Sequence, residues 1–236
     1  MKRNQPGALR FPGYFYAFLE REMVKAYRNQ RNLLNQQLKM YEGNGEFDIP
    51  IVPAYHGEVP EKWIGFNYVM QCKDPKNTGV HFFLDDYQFE RIWNTPQKYL
   101  NVLRNFKAVI QPDFSMYRDF PKALNIYNLF RNCWIARYWL DNGINVIPKP
   151  GYCDYDSFEW SLTVHEQGGV VAASSIGMMF DKDDHKYFID GYNVMLGTIN
   201  PDIVLMYGVV PRECAGNIIH IQSRQEKLHE GRRKHE

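Results

Sequence analysis

The chain has 236 residues and a mass of 27.9 kDa, is 44% hydrophobic and 15% aromatic, and so can fill the core of one larger α/β domain rather than remain disordered. Its 28 basic and 27 acidic residues nearly cancel but are segregated: residues 1–41 carry 8 basic and 2 acidic side chains, residues 222–236 carry 5 and 3, and the body between them is acidic. No apolar run of about 18 residues suits a membrane span, and the opening "MKRNQPGALRFPGYF" lacks the apolar stretch of a secretory signal, so the expected location is the cytoplasm, with no membrane partner.

Residues 14–41 are expected to form a helix. Phe15, Phe18, Leu19, Met23, Ala26 and Tyr27 recur at three- and four-residue steps and make one apolar face. The glycines of "YEGNGEFD" end it. Short apolar runs then follow, rich in β-formers and without clean polar alternation, as in strands covered on both faces. In order they are residues 49–54, 63–70, 80–84, 108–110, 144–147, a weaker 158–164, then 170–174, 203–207 and 218–221. Helical patterns separate several of them: residues 89–106, broken at Asn94-Thr95-Pro96, the strong segment 121–142, residues 185–199, and a short one from Pro211 to Gly216. Pro121 at the start and Gly143 just past the end of the strong segment suit helix termini.

This alternation predicts a single α/β domain with a parallel sheet and right-handed crossovers, arranged as a compact or incomplete βα-barrel with an N-terminal helix. The expected divisions are a basic N-terminal helix and linker at 1–44, an α/β domain at 45–221 and a basic flexible tail at 222–236. No GxGxxG, P-loop, GxSxG, HExxH or CxxC occurs, so a dinucleotide fold, a serine hydrolase and structural zinc are disfavoured. The cysteines 72, 133, 153 and 214 read as free thiols.

In parallel α/β folds ligands bind at the carboxyl ends of strands. That rule selects Asn67 and Tyr68, then Asp85, Asp86 and Tyr87, then Asp113, Pro148-Lys149-Pro150, Ser174-Ser175, and Tyr207-Gly208. In "VHFFLDDYQFERIW" the two adjacent acids sit where strand becomes helix. One of them is expected to face the barrel mouth and the other to cap the helix. Asp113 would join the first as a divalent-metal ligand or an acid/base partner; an Asx turn is its ordinary alternative. Asn128 and Arg131, three apart among aromatics, would bind an anion or anchor the Asp-bearing loop through an Arg–carboxylate fork. His81 and His220 read as core histidines.

The ordered series "VHFFLDDYQFERIWNTPQKY", "VIQPDFSMYRDFPKALNIYNLFRNCW", "YWLDNGINVIP" and "VVAASSIG" resembles domain-of-unknown-function family 4417 of bacteria, their phages and mobile elements. The resemblance covers roughly residues 45–210. Its motifs match at Asp85, Asp86, Tyr87, Pro112, Asp113, Tyr117, Asp119, Pro121, Asn128, Arg131 and Pro148. It implies a cytoplasmic protein borne by a phage or mobile element, and no activity. The function expected is an enzyme acting on a nucleotide or nucleic-acid component. Asp85, Asp86 and Asp113 would be catalytic, and Asn67, Tyr87, Tyr117, Asn128, Arg131 and Tyr207 would bind substrate, with a divalent metal as an open possibility. The rival expectations are a non-catalytic protein that binds a host or phage partner, and direct binding of nucleic acid through the basic ends.

Overall fold

The structure is a computed structural model that describes residues 34–178 and 181–233. The chain forms two compact units, Met1–Met40 and Tyr41–Glu236. The expected N-terminal helix lies almost wholly outside the described residues. Its last stretch, from residue 34, is a turn with Leu34 and Asn35 at positive φ rather than helix.

The second unit is α/β. A small antiparallel pair, β1 (Gly43–Asn44) and β2 (Ile49–Pro50), precedes seven strands: β3 (Lys62–Gly65), β4 (Thr78–His81), β5 (Ala108–Ile110), β6 (Val146–Ile147), β7 (Val170–Ser174), β8 (Ile203–Tyr207) and β9 (Ile218–Ile221). The helices are α1 (Arg91–Asn94), α2 (Leu100–Leu103), α3 (Lys122–Asp141), α4 (Ser157–Ser161), α5 (Lys182–Ile199) and α6 (Arg224–Arg233), with 3-10 turns between. Strands β3-β4-β5-β6 form one parallel sheet and β7-β8-β9 another. The expected parallel α/β class therefore holds. The expected barrel does not appear as a closed ring of ladders, because β3, β6, β7 and β9 are the outer strands of two sheets.

The two sheets nonetheless share a core. Ala108, Ile110 and Ile147 of the first pack with Val170, Ala172, Leu205, Tyr207 and Ile221 of the second. The Ala172 N–H donates to the Pro148 carbonyl at 2.8 Å where β6 meets β7. Alternate residues of β7 and β8 face the other way: Val171, Ala173, Val204 and Met206 pack against Phe188, Tyr192, Met195 and Ile199 of α5. Both faces are thus apolar, which explains the lack of alternation in the strands.

Three expectations are corrected. Residues 158–164 are not a strand: α4 occupies Ser157–Ser161, opened by a turn in which the Ser157 N–H donates to Asp154 Oδ1 at 2.7 Å. Phe158 and Leu162 stand four apart, a helical step that a short apolar run hides. Residues 211–216 hold turns rather than a helix. Residues 224–233, expected to be a flexible tail, form α6. Its start is a capping box: the Glu226 N–H donates to Ser223 Oγ at 3.3 Å and the Ser223 N–H to Glu226 Oε2 at 2.8 Å.

Candidate functional site

A cleft of about 670 Å³ opens at the carboxyl ends of the strands. The turn after β4 gives it Phe83 to Gln88, and the segment after β5 gives Asp113, Ser115, Tyr117 and Phe120. Strand β7 gives Ser174, β8 gives Tyr207, and the start of α6 gives Ser223, Arg224 and Gln225.

The adjacent acids divide their work differently from expectation. Asp85 holds the N-cap position of the 3-10 turn Asp86–Gln88, but its carboxylate makes no cap bond. It accepts instead from Gln88 Nε2 at 3.0 Å and remains exposed. Asp86 reaches across the cleft and accepts from Ser115, through the N–H at 3.0 Å and Oγ at 2.8 Å. Neither acid caps a helix, and both line the cleft. Asp113 meets the Lys149 ammonium at 2.5 Å, with both side chains mostly buried. Among the described residues no group of three His, Cys, Asp or Glu side chains is placed to hold a metal ion, so the divalent-metal expectation finds no ligand set.

Tyr207 forms part of the floor. Its ring stacks on Phe83 at 4.9 Å and lies 4.6 Å from the His81 imidazole. Burial pushes the Tyr207 phenol up and holds His81 down to about 3, with the Lys227 charge adding to the His81 effect. Tyr87 and Tyr117 stand at the rim, 79% and 51% exposed, with the Tyr117 ring edge-on to Phe120 at 4.7 Å. Asn67 lies beside the rim and donates to Gln88. Asn128 and Arg131 are not in the cleft. Both are buried beneath it on α3, and both bind the protein itself. Arg131 does not form the expected two-nitrogen fork on an Asp: it pairs with Glu90 through Nη1 alone, at 2.9 Å from both oxygens. Its guanidinium lies 3.7 Å over the Phe114 ring.

Sequence reasoning missed Ser115, Ser223 and Arg224 as cleft residues. Lys149, which the strand-end rule selects in "PKP", reaches the site through its pair with Asp113. Ser223 and Arg224 were reachable by the "SRQE" capping box, which marks a helix start. Beneath Lys149 a buried polar chain runs from His165 Nε2 to Gln111 Oε1 at 3.2 Å. The same oxygen accepts from the Lys149 N–H at 3.0 Å, and Gln111 Nε2 reaches Cys133 Sγ at 3.5 Å. Burial holds His165 to about 4 and pushes the Cys133 thiol up to about 12. All four cysteines are free.

The family model described as domain of unknown function (DUF4417) matches residues 41–224. Two curated relatives are both described as Gene 1 protein. The one from Mycobacterium phage L5 is 36% identical over 140 residues, 59% of this chain and 61% of the relative. The one from Mycobacterium phage D29 is 36% identical over 129 residues, 55% of this chain and 48% of the relative. The chain thus spans between about half and three fifths of the length of these relatives. No solved structure matches. The family match takes in most of the chain and the cleft as far as Arg224, and the chain belongs to that family.

Proposed function

We propose that this member of the DUF4417 family is a phage or mobile-element protein that binds a nucleotide or nucleic-acid component in the strand-end cleft and acts on it there. The observation that carries the reading is Asp113, paired with Lys149, in a cleft fed by the ends of four strands and the start of α6. The volume suits a small ligand rather than a flat contact. This reading treats the two sheets as halves of an incomplete barrel, since both turn apolar residues into one core and their carboxyl ends converge. Asp113 is the acid/base group, held by Lys149, whose charge also meets negative charge that develops on a ligand. Asp85 is a second carboxylate open to solvent. Tyr87 and Tyr117 offer ring faces to a base.

The test is a thermal-shift titration with nucleobases, nucleosides and nucleotides, on the wild type and on Asp113→Asn. A ligand that binds only the folded chain raises the midpoint. The expected result is a rise for at least one of these compounds that disappears in Asp113→Asn while the unliganded midpoint stays within a few degrees. A rise equal in both proteins removes Asp113 from the site.

The second reading is a non-catalytic partner-binding protein, favoured by the exposed apolar rim of Tyr87, Tyr117 and Ile176. It predicts no rise with any nucleotide.

A further inference from the structure

Asp113, Ser115 and Tyr117 reach the cleft from a segment, residues 111–117, that belongs to no strand or helix. Peptide groups in such a half-buried segment need partners. The Gln111 N–H donates to the Ile147 carbonyl and the Ser115 N–H to Asp86, and carboxamides on α3 serve the groups of Phe114 and Tyr117 and the Ser115 carbonyl. Asn132 takes both polar groups of Phe114: its Oδ1 accepts from the N–H at 2.8 Å and its Nδ2 donates to the carbonyl at 3.1 Å. Asn125 does the same for Tyr117, at 3.1 and 2.8 Å. Asn128 Nδ2 donates to the Ser115 carbonyl at 2.6 Å, and Asn128 Oδ1 accepts from Arg131 Nη2 at 2.7 Å.

Steps of three and four place the three asparagines on one helix face. A carboxamide carries the same donor and acceptor as a peptide unit. The helix therefore stands in for a neighbouring strand. On the other side of Asp113, Gln111 holds the Lys149 backbone. The carboxylate is thus set between two amide clamps, Gln111 on Lys149 and Asn132 on Phe114.

We infer that Asn125, Asn128 and Asn132 are positioning residues: they fix the wall that bears Asp113, Ser115 and Tyr117 in its ligand-facing shape before any ligand arrives. The inference rests on the reading of the cleft as the functional site, but its test uses no ligand, so the two fail separately. A wall ordered in advance spares the ligand the ordering cost.

The experiment compares Asn132→Ala and Asn125→Ala with Leu129→Ala by amide hydrogen exchange and by the NMR contact between the Lys149 ammonium and Asp113. Leu129 is buried on the same helix and has no polar group to hold the wall. The expected result is exchange faster by about tenfold or more at the Phe114 amide in Asn132→Ala and at the Tyr117 amide in Asn125→Ala. The Lys149–Asp113 contact weakens in Asn132→Ala. Leu129→Ala lowers the thermal midpoint but leaves these signals as in the wild type. Wild-type exchange in the asparagine variants, or the same acceleration in Leu129→Ala, overturns the inference. If Asn132→Ala does not fold, Asn125→Ala at the far end of the wall decides on the Tyr117 amide.

Discussion

Arg131 shows how a residue that looks like a ligand-binder can serve the fold. Its guanidinium grips Glu90, supports Asn128 and covers the Phe114 ring. Arg131→Ala removes all three contacts and is expected to cost about 2–3 kcal/mol in chemical denaturation. Arg131→Lys should recover only part, because one ammonium cannot meet Glu90, reach Asn128 and cover the Phe114 ring at once. A loss under about 0.5 kcal/mol for Arg131→Ala would contradict this role. The sequence made the Asn128–Arg131 pair visible as polar groups among aromatics, but not their direction, since three-residue spacing says which groups share a face and not what lies opposite it.

Two buried imidazoles make a pH prediction. An unfolded histidine takes up its proton near pH 6.5. Burial holds His81 to about 3 and His165 to about 4 in the folded chain. Between those values and about 6.5 the unfolded chain binds more protons. Their contribution is therefore complete above about pH 6.5 and falls as the pH drops, by about 1.4 kcal/mol per pH unit for each group. His81→Phe, which keeps a ring beside Phe83 and Tyr207, should make the loss between pH 6 and 5 shallower by about one such slope. Denaturant unfolding at several pH values measures it, and an unchanged slope refutes it.

At the scale of elements, α3 was the most legible and the short segments the least. Pro121 precedes α3, and at its far end the Gly143 N–H donates to Leu140 and the Ile144 N–H to Trp139, each at 3.0 Å, with Gly143 at φ +76°. That is a Schellman ending, which the glycine announces. The α4 segment was misread because five residues give too little helical period to compete with an apolar run. Strand β3 stops at Gly65, where the expected run continued to Met70, because residues 66–71 turn into a 3-10 helix. The junction before β7 yields a sharper prediction. Gly169 has φ +69°, and a Cβ there would lie 2.4 Å from the Tyr55 carbonyl oxygen. That oxygen accepts the Val170 N–H at 2.8 Å. Gly169→Ala must strain the backbone and part this bond, at a cost of about 2 kcal/mol or more. A melting point equal to wild type would show that the junction yields freely.

At the scale of the molecule, the parallel sheets decide where chemistry can happen. Strand order is not written in any single motif, but parallel pairing puts all carboxyl ends on one side, so a strand list became a site list. Asp85, Asp86, Tyr87, Asp113, Tyr117 and Tyr207 do meet in one cleft. What the list could not contain was the pairing of Asp86 with Ser115 and of Asp113 with Lys149, since those are distances between elements. The basic ends offered a rival account, and their N-terminal part lies outside the described residues. Among the described residues no helix is long and apolar enough to cross a membrane.

The most direct measurement is NMR mapping of the isotope-labelled chain titrated with the common nucleoside monophosphates. The account predicts shifts concentrated at residues 85–88, 113–117, 174–176, 207 and 223–225. Shifts gathered instead around residues 44–49 and 155–163, which line a second and smaller cleft, or no shift with any nucleotide, would contradict it.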